Sequence, residues 1–519
     1  MTDTTNRPVA RKFWLPRWPE QLTGLMFMSM PQTIISGVTV LITALTFRVG
    51  SGSLTTMALV IATLAAGASL AFAKIAGHPL YFWGPIAVSY FFRQARGDDF
   101  VVDKLKAREI AGAGKPPPPA FRRLIKGFKV IPVPFRGGQL AVLHNARAQT
   151  YAVCITAAAD TFLMKDPLDQ VGQIESFGEI LDACAAADSV ITAFSWFKAS
   201  VLTTTVGHER WYMGLSPGIT AEATEGYADL IELASREPGH EITIMIETNR
   251  RRALKDTGSK RVHGKKAEEL IIDRLIEALT GTVESLIQLG AWDIVPLSPS
   301  MYAKQIRFAL DPYARIEASL DADARMQERV IGNGDLSRLP DPPSAAEIER
   351  STWPSAWEED RKSVTADGTR HVVLVAEEYP STGVAGTFLR PLLNSVTCPV
   401  RVAWRGRHLS TALAERALMM HANTAKSEDE SAAQGGVTLH LSKRRRHLVR
   451  EAQREELADN HTLWAWTMFI DVGGYDDASL RKNVAAVYAA ARACGITLRP
   501  AYLRMAEAEL QCLPMPTAA

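Results

Sequence analysis

The chain has 519 residues, 47% of them apolar and 22% charged, which is typical of a globular protein with roughly two to four domains. The formal net charge of +2 excludes a polycation, so bulk charge argues neither for nor against binding to nucleic acid. The cysteines form no CxxC pair, which gives neither a disulfide framework nor a zinc site and fits a reducing compartment. They are Cys154, Cys184, Cys398, Cys494 and Cys512.

Two long uncharged stretches lie near the N-terminus, at residues 21–47 and 49–73. Each is long enough to cross a bilayer, which takes about 20 apolar residues. Since only Arg48, Val49 and a GSGS turn separate their cores, we expect a hairpin of two transmembrane helices within residues 21–76. The alternative is a pair of buried core helices.

Basic residues flank this hairpin on both sides. They outnumber acidic residues in the first 20 residues and again between Arg93 and Lys129. Basic flanks stay in the cytoplasm. The pattern therefore predicts a multi-pass protein of the bacterial inner (cytoplasmic) membrane with both termini cytoplasmic.

An aromatic segment follows the hairpin and is interrupted by Pro79, Gly84 and Pro85. We interpret it as a segment at the membrane interface, because aromatic rings concentrate at headgroup level. A third membrane span over residues 77–92 stays open as the alternative. The candidate membrane-interface residues are Tyr81, Phe82, Trp83, Tyr90, Phe91, Phe92, Arg93 and Arg96.

The remaining chain alternates strand and helix patterns, which predicts an α+β cytoplasmic body behind the KPPPP spacer at residues 115–119. The predicted strands cover residues 139–144, 150–159, 241–249, 371–379, 398–406, 463–472 and 496–503. The predicted helices cover residues 171–187, 221–236, 265–289, 386–395 and 477–494. The second part reads βαβ twice, the order of a ferredoxin-like (split βαβ) sheet, with a helical hairpin inserted at residues 410–460. The expected divisions are a cytoplasmic N-terminus (1–20), two transmembrane helices (21–76), an interfacial segment and Pro-rich linker (77–129), a first α/β subdomain (130–318), a linker (319–369) and a second ferredoxin-like subdomain (370–519).

The sequence offers no catalytic, cofactor-binding or metal-binding residue that we would assign. A phosphate loop requires GxxxxGK[ST], and the two nearest stretches, at residues 112–116 and 258–266, both lack the hydroxyl after the lysine. The apolar strand patterns VVLVAEE and TMFIDV end in acids, which we interpret as strands meeting solvent. We therefore expect a protein that is not an enzyme and has no cofactor.

A basic run in the predicted insertion is the candidate partner contact. It consists of Lys443, Arg444, Arg445, Arg446 and Arg450. Contact with an acidic partner, anionic lipid or nucleic acid is one interpretation, and a solvated helix face is the other. The acids at residues 451, 455 and 456 weaken the nucleic-acid interpretation, which stays open.

The order of these features resembles an actinobacterial membrane-protein family encoded with conjugation and type IV secretion genes. The resemblance rests on GHPLYFWGPIAVSYFFRQARG, VPFRGGQLAVLHNARAQTYAVCITA and SFGEILDACAAADSVITAFSWF, and on the stretch from AWEEDRKSVTADGTRHVVLVAEEYP to AEAELQCLP. That family is similar to a two-helix membrane subunit fused to the N-terminal, non-motor domain of conjugative secretion ATPases. In those ATPases a Leu-Pro segment, here Leu513-Pro514, leads into the motor domain.

The resemblance implies a non-catalytic inner-membrane scaffold of a type IV secretion or conjugation-like machine. Its expected partners are a separate hexameric P-loop ATPase, other inner-membrane secretion subunits, membrane lipid and further copies of the chain in a homo-oligomer. The chain is expected to stop at Leu513-Pro514 because the motor is a separate polypeptide. The alternatives are a core membrane component of a type VII secretion system, a membrane-anchored DNA-binding protein, and an enzyme whose acid, base and nucleophile escape sequence analysis.

Overall fold

The computed structural model describes part of the chain, and every structural statement below concerns that part. The described residues are 30–50, 53–75, 78–95, 118–159, 167–201, 239–255, 264–313, 352–380, 384, 387–434, 448, 451, 453–455, 457–458 and 461–516. Contacts divide the protein into two units. One contains the N-terminal helices and the part of a later helix that begins at Met419, and the other contains the sheet.

Helices α1 (Met30–Val49) and α2 (Leu54–Phe72) form the predicted hairpin. The hydroxyl of Ser53 caps α2 by accepting from the backbone N–H of Thr56. Gln32 Nε2 donates to the carbonyl of Ala71 at 3.0 Å, and a Cβ on Gly67 would lie 2.3 Å from Thr39. The small residue therefore lets the two helices approach closely.

Both helices are long and apolar enough to cross a membrane. The windows Gln32–Val49 and Leu54–Phe72 have mean hydropathies of 1.5 and 1.8, and only 0% and 6% of their residues are buried. A core helix of a soluble protein buries its apolar side chains, whereas these remain exposed on nearly all sides. This exposure argues against the alternative of two buried core helices.

A short hairpin and a third helix complete the N-terminal region. Strands β1 (Lys74–Ile75) and β2 (His78–Pro79) pair antiparallel, and α3 (Leu80–Ala95) follows at once. The indole N–H of Trp83 donates to the carbonyl of Ile75 at 2.9 Å, which fixes the start of α3 against the hairpin.

Nine further helices and twelve further strands follow α3 among the described residues. The helices are α4 (Pro119–Leu124), α5 (Pro167–Ala185), α6 (Arg250–Ala253), α7 (Lys265–Gln288), α8 (Pro299–Leu310), α9 (Arg390–Asn394), α10 (Thr411–Gln434), α11 (Asp477–Ala493) and α12 (Met505–Cys512). The strands are β3 (Phe128–Phe135), β4 (Gly138–Asn145), β5 (Thr150–Ala159), β6 (Ile191–Val201), β7 (Gly239–Asn249), β8 (Ala291–Pro296), β9 (Trp357–Glu359), β10 (Val364–Ala366), β11 (Thr369–Glu378), β12 (Val400–His408), β13 (Trp464–Gly474) and β14 (Thr497–Pro500).

All twelve strands belong to one sheet whose described pairings are antiparallel. Its order is β3-β4-β5-β7-β6-β12-β13-β11-β10-β9, with β8 also on β5 and β14 also on β11. The sheet contains two four-stranded sets with the same order. The first half-sheet has the spatial order β6-β7-β5-β8, and the second half-sheet has the spatial order β12-β13-β11-β14. When the four strands of each set are numbered along the chain, both sets have the spatial order second, third, first, fourth.

The two half-sheets meet where β6 pairs with β12, with Trp196 opposite Trp404. The similarity extends to their outer strands. In each half the first strand pairs with a preceding hairpin strand over its first part and with the fourth strand over its last part. Both pairings with the fourth strand carry a register shift, at Thr156/Ala158 and at Ala376/Glu378. The body is therefore a structural repeat joined edge to edge.

Strand alternation gives the sheet two different faces. On one face, α5 and α7 cover the first half-sheet and α9 and α11 cover the second, and Trp196 contacts both cores. On the opposite face, α4, α8, α12 and the segment containing Trp353 and Trp357 share one core that spans both halves. We call this opposite face the shared face.

Most predicted elements of the body are confirmed, namely the strand patterns in β4, β5, β7, β11, β12, β13 and β14 and the helix patterns in α5, α7 and α11. The sequence reading missed β3, β6, β8 and α8. The helix expected at residues 221–236 lies outside the described residues. Within the expected linker 319–369, residues 357–366 form β9 and β10, and Trp353 and Trp357 belong to the shared core.

Candidate functional site

A cluster of charged side chains is buried on the shared face of the second half-sheet. Its strand members are His371 on β11, Arg401 on β12 and Asp471 on β13. On all three strands the neighbouring positions alternate into the opposite core, so these residues point to the same side. Helix α12 crosses this side and contributes Glu509, which is fully buried.

Arg401 is the centre of the cluster. Its Nη2 donates to Asp471 Oδ2 and to Glu509 Oε1, both at 2.6 Å. His371 Nδ1 lies 3.0 and 3.1 Å from the two oxygens of Asp471, and His371 Nε2 lies 2.9 Å from the carbonyl of Leu310 at the end of α8. The cluster therefore links three strands of the second half-sheet to α12 and to α8, which follows the last strand of the first half-sheet.

The surroundings of His371 favour its charged form. Burial alone lowers the pKa of the imidazole, but the carboxylates of Asp471 and Glu509 raise it to about 9. Because both ring nitrogens face oxygen acceptors, only the doubly protonated ring donates to both. Burial likewise acts to raise the pKa of Asp471, yet His371 and Arg401 hold it below its usual value.

The pKa of Glu509 is shifted in the opposite direction from that of Asp471. Burial and the negative charge of Asp471 raise the pKa of Glu509 above its usual value, although Arg401 acts against this rise. Oε2 of Glu509 and Nη1 of Arg401 are buried and have no hydrogen-bond partner among the described residues. The cluster thus contains two cations, His371 and Arg401, and two carboxyl groups. Of the two carboxyl groups, that of Glu509 has the raised pKa and is the more readily protonated.

The side chains of His371, Asp471 and Glu509 are the donor types of a metal site, and their ligand atoms lie within 4.8 Å of one another. Their contacts do not fit a metal ion. Both nitrogens of His371 are directed at acceptors, and the guanidinium of Arg401 already lies between the two carboxylates. Arg401 occupies the position of the cation, so the arrangement is that of a buried ion-pair network.

A second buried arginine, Arg405, holds the C-terminal segment in the shared core. Its guanidinium donates to the carbonyls of Gln511 and Met515 at 2.9 Å and to that of Leu513 at 2.5 Å. Glu247 of β7 lies 3.5 Å from Arg405 Nη1, and the guanidinium stacks 4.8 Å from the ring of Phe197. Arg405 therefore joins the segment after α12 to strands of both half-sheets.

The Leu513-Pro514 motif lies in this segment. Leu513, Pro514 and Met515 are buried, and Asn145 Nδ2 donates to the carbonyl of Pro516 at 3.3 Å. In the described structure the motif packs into the body as part of the shared core.

A third buried ionic contact fastens the segment around Trp353 to α8. Arg307 pairs with Asp367, whose other oxygen accepts from the backbone N–H groups of Ser355 and Ala356 at 2.8 and 2.9 Å. Burial raises the pKa of Asp367, although Arg307 and these N–H groups act against the rise. The carboxylate thus serves as the acceptor for two successive backbone N–H groups.

A cleft runs from the surface toward the Arg401 cluster. It has about 620 Å³ of empty space, its open mouth included, and lies between the ends of β6, β7 and β12 and helix α8. Its walls are mainly apolar, with Phe197, Phe308 and Pro514 among them, and Arg401 and Asp471 also line it. Gln305 of α8 faces Thr243 across it with a hydrogen bond.

The predicted membrane-interface residues lie on α3, except Arg96, which lies outside the described residues. Phe82, Phe91 and Phe92 are exposed, while Tyr90 is buried. Tyr81, Trp83 and Arg93 are partly exposed. Since exposed Val88, Phe91 and Phe92 lie three to four residues apart on one side of the helix, α3 presents an apolar stripe.

The predicted partner contact is outside the described residues. This applies to Lys443, Arg444, Arg445, Arg446 and Arg450 alike. The first arm of the predicted insertion is helix α10, and the chain re-enters the sheet after His461 and Thr462. There the carboxylate of Asp182 on α5 accepts from the backbone N–H and hydroxyl of Thr462, at 2.8 and 2.5 Å.

The sequence interpretation of Asp471 is wrong. It treated the acid after TMFI as a strand end that meets solvent, whereas β13 continues to Gly474 and Asp471 is 2% exposed. One feature of the sequence does indicate this cluster. Arg401 and Arg405 alternate with apolar residues inside a strand pattern, and a charge inside a buried strand requires a partner.

A comparison with models of known protein families finds no match to this chain. A comparison with curated proteins finds no significant match either.

Proposed function

We propose that this protein is a membrane-anchored, non-catalytic scaffold of a type IV secretion or conjugation-like machine, which docks a separate hexameric ATPase. The observation that carries the proposal is the pair of almost fully exposed apolar helices α1 and α2 on a chain with a large α+β body. Lipid is the surrounding in which such helices are stable. The resemblance described above supplies the kind of machine.

The buried charges of the body favour a structural role for the Arg401 cluster. Catalytic acids and bases need a proton acceptor or donor that can reach a substrate. In the described residues, His371 is enclosed by Asp471 and Leu310, and Arg401 by two carboxylates. A buried network of this kind favours one packing of the core, and the proposal of a scaffold is based on this mutual pairing.

We also propose that each half-sheet, with the helices on its outer face, is a ferredoxin-like (split βαβ) domain. The order second, third, first, fourth and the antiparallel pairings support this assignment in both halves. The long connection at residues 410–460, which includes α10, would then be an insertion between the second and third strands of the second domain.

For the membrane topology, we propose a multi-pass anchor in the inner membrane with both termini in the cytoplasm. Basic flanks on both sides of α1 and α2 support this orientation. The apolar stripe of α3, together with Arg93 at its end, fits a helix that lies at the membrane interface. Protease digestion of sealed, inside-out vesicles tests the topology, because it should remove the body while leaving α1 and α2 protected.

The first experiment for function is a pull-down of the detergent-solubilised chain from membranes of its native host, with mass spectrometry of the bound proteins. Recovery of a conjugation-type P-loop ATPase supports the proposal. Recovery of type VII secretion components favours that alternative. Retention on DNA that falls steeply with salt favours a membrane-anchored DNA-binding protein.

The docking site is tested by reversing Arg444, Arg445 and Arg446 to Glu in the same pull-down. The matched control reverses three exposed basic residues of the body, Lys126, Arg251 and Lys255, which changes the net charge equally. Loss of the ATPase only from the first variant assigns the contact to the insertion. If both variants recover the same amount of ATPase, the basic run of the insertion is not the docking contact.

A further inference from the structure

Helices α7 and α11 occupy corresponding places in the two half-sheets. Each connects the third strand of its half to the fourth, and each packs on the sheet face opposite the shared face. Their inner sides are apolar, with Ile271, Leu275 and Leu279 on α7 and Val487 and Ala491 on α11. Their outer sides face solvent and carry opposite charge.

The outer side of α7 is acidic. Glu269, Asp273, Glu277 and Glu284 are all exposed and recur at helical spacing along one stripe. Lys265 lies 3.8 Å from Glu269 at the start of the stripe, so the acidic charge that remains is carried by Asp273, Glu277 and Glu284. Arg274 donates to the carbonyl of Ala253 at 2.8 Å, and Lys265 and Lys266 lie in the first turn.

The outer side of α11 is basic and otherwise formed by small residues. Arg481, Lys482 and Arg492 are exposed, and the exposed positions between them are alanines 485, 486 and 489. The acid at the start of this helix, Asp477, is paired with Arg370. The alanines leave room for a second helix to approach to about 8 Å between axes.

The charges on the two helices also match in spacing. Asp273 and Glu284 are about three helical turns apart, and so are Arg481 and Arg492. When the two helices lie side by side, both pairs of opposite charges meet at once. Gly281, which is exposed on the acidic stripe, adds no side chain to the contact.

The two helices of one chain are too far apart to meet. Helix α7 packs on β5 and β8, and α11 packs on β13 and β11. Strands β7, β6 and β12 lie between β5 and β13, which corresponds to about 19 Å at the usual strand spacing. The matching helix must therefore come from a different molecule.

We propose that the acidic face of α7 docks on the basic face of α11 of a second copy of this chain. The contact is head to tail, so each bound copy keeps one free α7 or α11 for a further copy. Exposed ion pairs contribute about 0–1 kcal/mol each, so charge alone gives a weak contact. Ile287 and Trp292, each 57% exposed at the end of α7 and in β8, add apolar area beside it.

Two charge-reversed variants of the full-length protein test this contact. The first, Asp273→Lys with Glu284→Lys, places lysines opposite Arg481 and Arg492, and the second, Arg481→Glu with Arg492→Glu, places glutamates opposite Asp273 and Glu284. The molar mass of each detergent-solubilised protein is measured by analytical ultracentrifugation at low and high salt. The wild-type protein should assemble at low salt and dissociate at high salt, because salt screens surface charges.

Each reversed variant alone should remain a single chain, and an equimolar mixture of the two should regain the assembled mass, because the reversed positions of one variant then lie opposite residues of unlike charge on the other. The control, Lys126→Glu with Glu415→Lys, reverses two exposed charges elsewhere without changing the net charge and should assemble like wild type. Circular dichroism checks that all variants are folded. A wild-type protein that is a single chain at low salt, variants that assemble alone, or a mixture that stays dissociated would each overturn the proposal. No ATPase is present in this measurement, so its result is independent of the function proposed above.

Discussion

Arg401 Nη2 and Asp471 Oδ2 lie 2.6 Å apart on neighbouring strands, and neither side chain is more than 9% exposed. Since Arg401 is also the partner of Glu509, its removal leaves two carboxyl groups buried together. We expect Arg401→Met to lower the free energy of unfolding by about 3–5 kcal/mol. Urea unfolding of the full-length protein in detergent, followed by tryptophan fluorescence, measures this loss.

The control for this prediction removes the charges as well as the arginine. The triple variant Arg401→Met, Asp471→Asn, Glu509→Gln keeps the side-chain volumes but buries no uncompensated carboxylate. It should be more stable than Arg401→Met alone. If the triple variant is the less stable of the two, the loss comes from packing and not from unpaired charge.

His371 should make stability depend on pH. Its pKa rises from 6.5 when unfolded to about 9 in the folded protein, so the folded state holds the proton more tightly. The resulting stabilisation is complete below about pH 6.5 and is lost as the pH rises through about 9, and it is on the order of 3 kcal/mol. We expect the difference in unfolding free energy between wild type and His371→Gln to shrink across this range. A difference that is constant from pH 6 to 9.5 would contradict a charged His371.

Lys198 should show the opposite pH dependence. This lysine of β6 is buried, and its Nζ donates to Ser200 Oγ at 2.7 Å and to the carbonyl of Leu393 in α9. Burial lowers its pKa from 10.5 to about 8. The unfolded state therefore binds the proton more tightly, and the unfolding free energy of wild type relative to Lys198→Met should rise between about pH 8 and 10.5. Titration of both proteins by urea unfolding checks the sign, and a falling difference would refute it.

Arg405 should control the mobility of the C-terminal segment. Arg405→Met removes the donor to the carbonyls of residues 510, 511, 513 and 515 and leaves these acceptors buried. Hydrogen exchange of residues 505–516 should become at least tenfold faster, while exchange in β13 stays slow. Arg407→Met is the matched control, because Arg407 is an exposed residue of the same strand. Equal protection of the segment in both variants would show that Arg405 does not hold it.

Much of the sheet could be predicted because its strands are short apolar runs bounded by polar residues. β5 and β7 have this pattern and were placed within two residues of their ends. β6 was missed because ITAFSWFKASV contains Lys198, and a lysine in a sequence indicates a surface position. Its burial is explained only by the structure, in which Nζ donates to the carbonyl of Leu393. β8 was missed because it has only six residues and an exposed tryptophan.

The Arg401 cluster depends on contacts that sequence periodicity does not contain. Its members come from three strands and a helix that are distant along the chain, and only the strand order brings them together. The alternation of β12 predicts that Arg401 and Arg405 share a face, but not that α12 crosses that face. The identity of the acid partners therefore required the tertiary structure.

The repeat of the half-sheets within one polypeptide has a consequence for how this protein can diversify. Two identical subunits paired along the same edge would carry every substitution twice, so both outer helices would keep the same charge and both inner faces the same residues. Because one peptide chain joins the halves, each can change alone. The second half-sheet has the Arg401 cluster on its shared face and the basic helix α11 on its other face. The first half-sheet has the acidic helix α7 in the position that corresponds to α11. The molecule thereby has two distinguishable ends and a direction, which a symmetric pair lacks.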